Sequence, residues 1–345
     1  MANIVITDKC NLHCPYCFAN DFVNKSKVVH EITIENFKKA LDFALSENSE
    51  RVGIIGGEPT LHSKFSEILT LLINDDRVKK VLIYTNGINL NRYFHLLQNP
   101  KFQFLVNCNS PKQIGTKLYN RLVLNLVKLA EYDKGNNLNR FTIGYNIYYP
   151  IFEYDYIIDL MKKLGLEFLR MSIVVPDFSK PDCESAFDYF LKGKKQFLKF
   201  LDDMLSNDIV PYFDCNKMLS CLYTDEDFLF LKHLFFNNSV RKSIVWNNSN
   251  SIFNSYVECS PVIDIYWDLT ASRCFGISNF RKTSITEFEN VKALRNYYVE
   301  NVDNKLKSIP TNENCSSCAE GQKGHCSGGC LGFKLVEYRR QNLKE

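Results

Sequence analysis

Apolar residues in the first half of the chain switch between two periods, short β-branched or aromatic runs alternating with longer stretches in which apolar positions recur at i, i+3 and i+4. The runs NIVIT (3–7), RVGIIG (51–56), KVLIYTN (80–86), FQFLVNC (102–108), FTIGYNIYY (141–149) and EFLRMSIV (167–174) predict strands. Between them TIENFKKALDFAL (33–45), FSEILTLLI (65–73), LYNRLVLNLVKLAEY (118–132) and YDYIIDLMKKLG (154–165) predict amphipathic crossover helices. Strand and helix in alternation imply parallel βα units, and six strands predict an α/β fold of the partial (β/α)6 TIM-barrel kind over residues 1–180. The stretch VVPDFSKPD (174–182), with two prolines, reads as the exit from it.

Beyond that point the pattern changes twice. Residues 181–258 read as a helical bridging region, with helices near 185–206 and 225–237 and an Asn/Ser-rich loop VWNNSNSIFNS (245–255). From Cys259 to residue 345 periodicity fades while cysteines crowd together, which predicts a loop-dominated, cysteine-rich domain. Within it CSPVIDIYWDLTASRC (259–274) reads as a hairpin between two thiols, and CSSCAEGQKGHCSGGC (315–330) is almost all turn residues and cysteines. Such a stretch buries little apolar surface, so bound metal is expected to hold it together.

Composition narrows the classes. The chain has 345 residues, 45% hydrophobic and 23% charged, and no apolar run approaches the ~18–20 residues of a membrane span. The opening MANIVITDK lacks the features of a signal peptide, so a cytoplasmic protein without a membrane partner is expected. Net charge is +3 with lysines scattered among acids, which argues against a nucleic-acid partner. Thirteen cysteines in a reducing compartment point to metal rather than to disulfides.

The chemistry begins at CNLHCPYCF (10–18), where Cys10, Cys14 and Cys17 stand in a C-x3-C-x2-C array directly after the first strand. Structural zinc sites are closed by four ligands, so three thiols suit an iron-sulfur cluster with one iron left open. The array, with Tyr16 before its last cysteine, resembles the cluster loop of radical S-adenosylmethionine (SAM) enzymes. GGEPT (56–60), holding Gly56, Gly57, Glu58 and Pro59, is similar to that family's GGEP turn, and YTNG (84–87), with Thr85 and Asn86, to its TNG. In VNCNSP (106–111), Asn107 and Asn109 stand where the family usually has Ser-x-Asp, as amide substitutes able to bond ribose; Asn146 and Arg170, on the fifth and sixth strands, point to similar roles.

The resemblance implies a 4Fe-4S cluster on the three cysteines whose open iron chelates SAM. A reduced cluster then passes an electron to the sulfonium, the S–C5′ bond breaks homolytically, and the 5′-deoxyadenosyl radical takes a hydrogen atom from substrate. The tail, with Cys259 and Cys274 followed by Cys315, Cys318, Cys326 and Cys330, resembles the SPASM/twitch extension of peptide-modifying members, which carries auxiliary 4Fe-4S clusters. It departs from that pattern in its x7 central gap and in having no cysteine after Cys330. Cys215 and Cys221 upstream bring the set to eight, enough to close two auxiliary clusters. One auxiliary cluster, and a zinc ribbon on Cys315, Cys318, Cys326 and Cys330, stay open. His325 and Glu320 rank below the thiols as ligands.

Three functions are compatible with these features. The first is a peptide maturase that crosslinks or oxidises a ribosomally made peptide or protein, served by an electron donor such as flavodoxin or ferredoxin. Nine residues before Cys10 leave no room for a leader-binding domain, so a separate peptide-recognition protein or the 183–258 region is expected to bind the peptide. The second is a radical SAM dehydrogenase of a small molecule, the third a metal-stabilised binding module. No catalytic acid or base is legible. Asp214, Asp264 and Asp268 read as solvated loop carboxylates, and Cys108 and Cys183 as plain thiols.

Overall fold

The computed structural model describes residues 1–342 apart from 18, 20, 21, 25, 26, 149–151, 175–184, 217, 237–258, 324 and 325. The boundaries expected at 180 and 258, the proline-bearing exit, the Asn/Ser-rich loop and Cys183 fall outside the described residues. The chain forms two compact units, one of Met1–Ile143 with Ser260–Val302, the other of Gly144–Cys259 with Asp303–Glu345.

The first unit begins with β1 (Ala2–Val5), α1 (Ile34–Leu45), β2 (Arg51–Ile55), α2 (Phe65–Asn74) and β3 (Lys80–Thr85). The short α3 (Phe94–Leu97), β4 (Phe102–Asn107), the short α4 (Pro111–Ile114), α5 (Thr116–Gly135) and the start of β5 (Phe141–Ile147) follow. Strands β1 to β4 are parallel and adjacent in sequence order, with Ile4 beside Ile54 and Ile54 beside Ile83. Each helix forms for a local reason: in α1 the Thr33 hydroxyl caps the Asn36 N–H, and Phe37, Ala40, Leu41 and Ala44 make one buried face.

The expected hairpin is present as β8 (Ile263–Ile265) and β9 (Thr270–Ser272), with β10 (Thr283–Ser284) beyond, but it is no separate appendage. β8 runs parallel to β1 and extends the same sheet, in the order β10-β9-β8-β1-β2-β3-β4 within this unit. α9 (Val291–Tyr298) covers it, the Tyr298 hydroxyl donating to the Ala271 carbonyl at 2.6 Å. One buried ion pair braces the unit. Arg140, 4% exposed, donates to Asp133 through Nε and Nη2 at 2.9 and 2.7 Å and to the Leu97 carbonyl at 2.8 Å.

The second unit holds the rest of β5, α6 (Asp155–Leu164), β6 (Phe168–Ile173), α7 (Ala186–Ser206), β7 (Val210–Cys215) and α8 (Asp225–Phe236). β5, β6 and β7 are parallel; β7 is a strand the sequence reading did not predict, its run broken by Pro211 and Asp214. Tyr145, Phe152, Tyr154, Phe197 and Phe200 form an aromatic core around α7. A C-terminal helix, Leu331–Asn342, joins it through Phe333, whose ring meets Phe190 edge-on at 4.9 Å. The architecture is thus α/β with successive parallel βα units and no closed barrel among the described residues, as a partial barrel requires. No described helix is long and apolar enough to cross a membrane.

Candidate active site

In the first unit, β1 delivers the chain to the loop carrying Cys10, Cys14 and Cys17, and the neighbouring strand ends hold that loop from beneath. The Gly57 N–H donates to the Thr7 carbonyl and the Glu58 N–H to the Lys9 carbonyl, both at 2.8 Å. A Cβ on Gly56 would lie 2.6 Å from the Thr7 carbonyl oxygen, and one on Gly57 2.3 Å from that of Lys9. The double glycine therefore admits the loop backbone where any side chain would collide with it.

Glu58 is the hub. Its carboxylate, 1% exposed, accepts from the Thr60 N–H and hydroxyl and from the Thr85 hydroxyl at Oε1, and from the Asn86 N–H at Oε2. Burial raises its pKa and these donors oppose the rise. Both carboxylate oxygens thus join the two turns. Pro59 opens the short turn Pro59–Leu61 that brings Thr60 into this set.

From the TNG turn Asn86 Nδ2 donates to Asn11 Oδ1 at 2.8 Å, and from beyond β4 Asn109 Nδ2 donates to Cys14 Sγ at 3.4 Å. Tyr16 also donates to the Cys14 sulfur. The Leu12 N–H points at Cys10 Sγ at 3.4 Å. Burial first, and then the fields of neighbouring thiols, push the free thiols of Cys10 and Cys17 up, to about 12 and about 11. N–H and O–H donors converging on three grouped sulfurs suit thiolates that carry cluster charge. Asn109 Oδ1, on a side chain 3% exposed, has no hydrogen-bond partner among the described residues. A buried acceptor with no donor is what a bound hydroxyl would satisfy. The residues present fit a site-differentiated cluster with an organic cofactor beside it.

Sequence reasoning passed over the residues that brace the loop. Asn24, in the left-handed region at φ 54, accepts from the Cys10 N–H at 3.1 Å and donates to its carbonyl at 3.2 Å. Asp8, 3% exposed, accepts from His30 Nδ1 at 2.6 Å and from its backbone N–H at 2.9 Å, while the His30 ring stacks on Trp267. The one available signal was that asparagine tolerates positive φ. Asn107 ends β4 half-buried.

In the second unit, Arg170 Nη1 donates to Asn146 Oδ1 at 3.3 Å, so these two predicted residues are brought to each other across β5 and β6. Cys221, in the short turn Ser220–Leu222, has its thiol pushed up to about 11, by burial first and then by the fields of Cys326, Cys315 and Cys318. Those four thiols therefore share one neighbourhood. The segments bearing them are packed together: a Cβ on Gly329 would fall 2.9 Å from Leu219 Cδ2. Backbone N–H groups of Gly328 and Gly332 point at Cys326 Sγ and Cys330 Sγ at 3.3 and 3.4 Å. Lys334, 4% exposed, donates to the Lys307 carbonyl at 2.9 Å, and burial lowers its pKa while Cys315 and Cys326 favour its charge.

Cys259 and Cys274 are half-buried and fall in different units. Cys215 ends β7, and its side chain, that of Glu320 and the whole of His325 lie outside the described residues. Among the described residues no three His, Cys, Asp or Glu side chains gather on a single ion. Asp264 is not a solvated loop residue: it is 1% exposed on β8 and accepts from Asn3 Nδ2 at 2.7 Å. Asp268 bonds Thr270 at the hairpin turn, and Cys108 is a buried thiol.

Residues 4–190 match the family model of the Radical SAM superfamily, and the chain belongs to that superfamily. It is a radical SAM enzyme, and the family implies SAM and a 4Fe-4S cluster. Among curated relatives it is 30% identical over 145 residues to a GTP 3′,8-cyclase of Alkaliphilus oremlandii, a match covering 41% of each chain. It is 38% identical over 98 residues to a 7,8-dihydro-6-hydroxymethylpterin dimethyltransferase of Methanocaldococcus jannaschii, covering 28% of this chain and 19% of that one. The matched region thus spans about two fifths or less of these relatives. Among solved structures, SuiB of Streptococcus suis bound to S-adenosylmethionine aligns with all of this chain and 74% of its own, with a TM-score of 0.60 at 15% identity. SuiB bound to its precursor peptide SuiA gives 0.58 at 16%.

Proposed function

We propose that this radical SAM enzyme modifies a ribosomally made peptide or protein, forming a carbon-carbon or carbon-sulfur crosslink or oxidising a side chain. The observation that carries the reading is the reach of the likeness to SuiB: it runs over the whole chain, cysteine-rich tail included, and a further SuiB structure holds a precursor peptide. That likeness supports the fold; the substrate class is our inference from it. GTP and pterin enzymes among the relatives favour the second reading, a small-molecule substrate.

Bound to Cys10, Cys14 and Cys17, the cluster would supply the electron that cleaves SAM. The chain's own residues position the reactants. Gly56 and Gly57 bring backbone close, Glu58 fixes the turns bearing Thr85 and Asn86, and Asn109 Oδ1 is the acceptor offered to a cofactor hydroxyl. Tyr16 and Asn109 hold the Cys14 sulfur. In the second unit Cys221 supplies the fourth thiol to Cys315, Cys318 and Cys326, and these four hold one auxiliary cluster.

The test is anaerobic reconstitution with SAM and dithionite, in the presence of synthetic peptides encoded beside the gene or of a panel of nucleotides, pterins and alcohols. Formation of 5′-deoxyadenosine that needs Cys10, Cys14 and Cys17, with a peptide that loses two hydrogen atoms, upholds the reading. Turnover of a small molecule with every peptide unchanged replaces it by the second.

A further inference from the structure

The link between β4 and α4 is short, and Ser110, its last residue, is fixed by the cap it forms on α4. Ser110 accepts from the Gln113 N–H at 3.2 Å while the Gln113 side chain accepts from the Ser110 N–H at 3.0 Å. This reciprocal cap holds the backbone rigid next to Asn109. The Asn109 side chain is 3% exposed, so no bulk water competes for its amide.

The two ends of that amide face different chemistry. Nδ2 lies 3.4 Å from Cys14 Sγ. A cluster-bound thiolate can only accept, so the NH2 end must face the sulfur and the carbonyl end must face away. Oδ1 is then a buried acceptor with no donor among the described residues. Donors to cluster sulfurs lower the electron density on the cluster and ease its reduction. An aspartate here could take a hydroxyl but could give nothing to sulfur, and would set a second anion beside the cluster.

We propose that Asn109 is a positioning residue that raises the reduction potential of the cluster held by Cys10, Cys14 and Cys17 by donating to the Cys14 sulfur. The inference rests on the reading that these three thiols hold a cluster.

The experiment is EPR-monitored redox titration of the cluster in wild type, Asn109→Asp and Asn109→Ala. The variants are made in a chain whose Cys221, Cys315, Cys318 and Cys326 are alanine, so that one auxiliary signal is removed; iron content is measured in parallel. Both variants are expected to reduce at more negative potential, Asp more so than Ala. Unchanged potential in Asn109→Asp overturns the proposal, and that near-isosteric variant decides it even if Ala fails to hold iron. Failure of the wild type to hold iron on Cys10, Cys14 and Cys17 would instead sink the cluster reading beneath it.

Discussion

The Glu58 carboxylate accepts the backbone N–H of Asn86 at 2.7 Å, joining the turn after β2 to the turn after β3 through one buried side chain. Thr60 and Thr85 give their hydroxyls to its other oxygen, each at 2.7 Å, and Asn86 passes the connection on to Asn11. Two turns and the cluster loop are one hydrogen-bonded body.

Replacing Glu58 by Gln puts an NH2 group where donors already point. At least one bond becomes a clash of donors, and Glu58→Gln is expected to cost about 1–3 kcal/mol of stability and to weaken SAM binding. Urea unfolding of the apoprotein and SAM titration of the reconstituted enzyme check both. A variant with wild-type midpoint and affinity would show that the hub is dispensable.

Gly57→Ala must move backbone, because its Cβ would sit 2.3 Å from the Lys9 carbonyl oxygen and no flexible side chain is there to give way. The expected result is a loss of about 1–3 kcal/mol, as for overpacked cores, with iron retained poorly by Cys10, Cys14 and Cys17. Gly276→Ala, at a position with open space around it, serves as the control and should keep its iron.

Cys221→Ala is expected to lower iron by about four atoms per chain while leaving SAM cleavage without substrate intact, since a 4Fe-4S cluster needs its thiolates. Cys108→Ala, at a buried thiol that donates to the Val106 carbonyl at 3.7 Å, should leave iron unchanged. Iron and sulfide analysis distinguishes them; equal iron in the two variants removes Cys221 from the ligand set.

Asp264 gives stability a pH dependence of unusual sign. Burial raises its pKa to about 7, against which Asn3 and Arg273 work. The folded state therefore holds a proton that the unfolded state has released, and this residue's contribution is present at low pH and lost as pH rises towards about 7. Asp264→Asn mimics the protonated form. Relative to wild type, its urea midpoint should rise steadily between about pH 4 and 7 and level off above. A difference that does not vary with pH would show that Asp264 is not neutral in the fold.

How much of this was legible depends on the range of each interaction. Strands at 51–55, 80–85 and 102–107 and helices at 34–45 and 65–74 lie within a residue or so of the periodic pattern, because burial on one face acts at every second or every third and fourth position. β7 escaped because Pro211 and Asp214 break its pattern. The role of Asp264 escaped because its neighbour Asn3 stands 261 positions away.

The sequence by itself determined the α/β class, the three-thiol loop after the first strand and the GGEPT and TNG turns after the next two, since spacing and residue type are local properties. Tertiary structure alone decided that β8 extends the first sheet beside β1, that Glu58 bonds Thr85 and Asn86, and that Asn109 meets Cys14. It also brought Cys221 to Cys315, Cys318 and Cys326. These contacts join residues distant in sequence, and no period or motif encodes them; they exist only once the chain has closed its loops and excluded water between them.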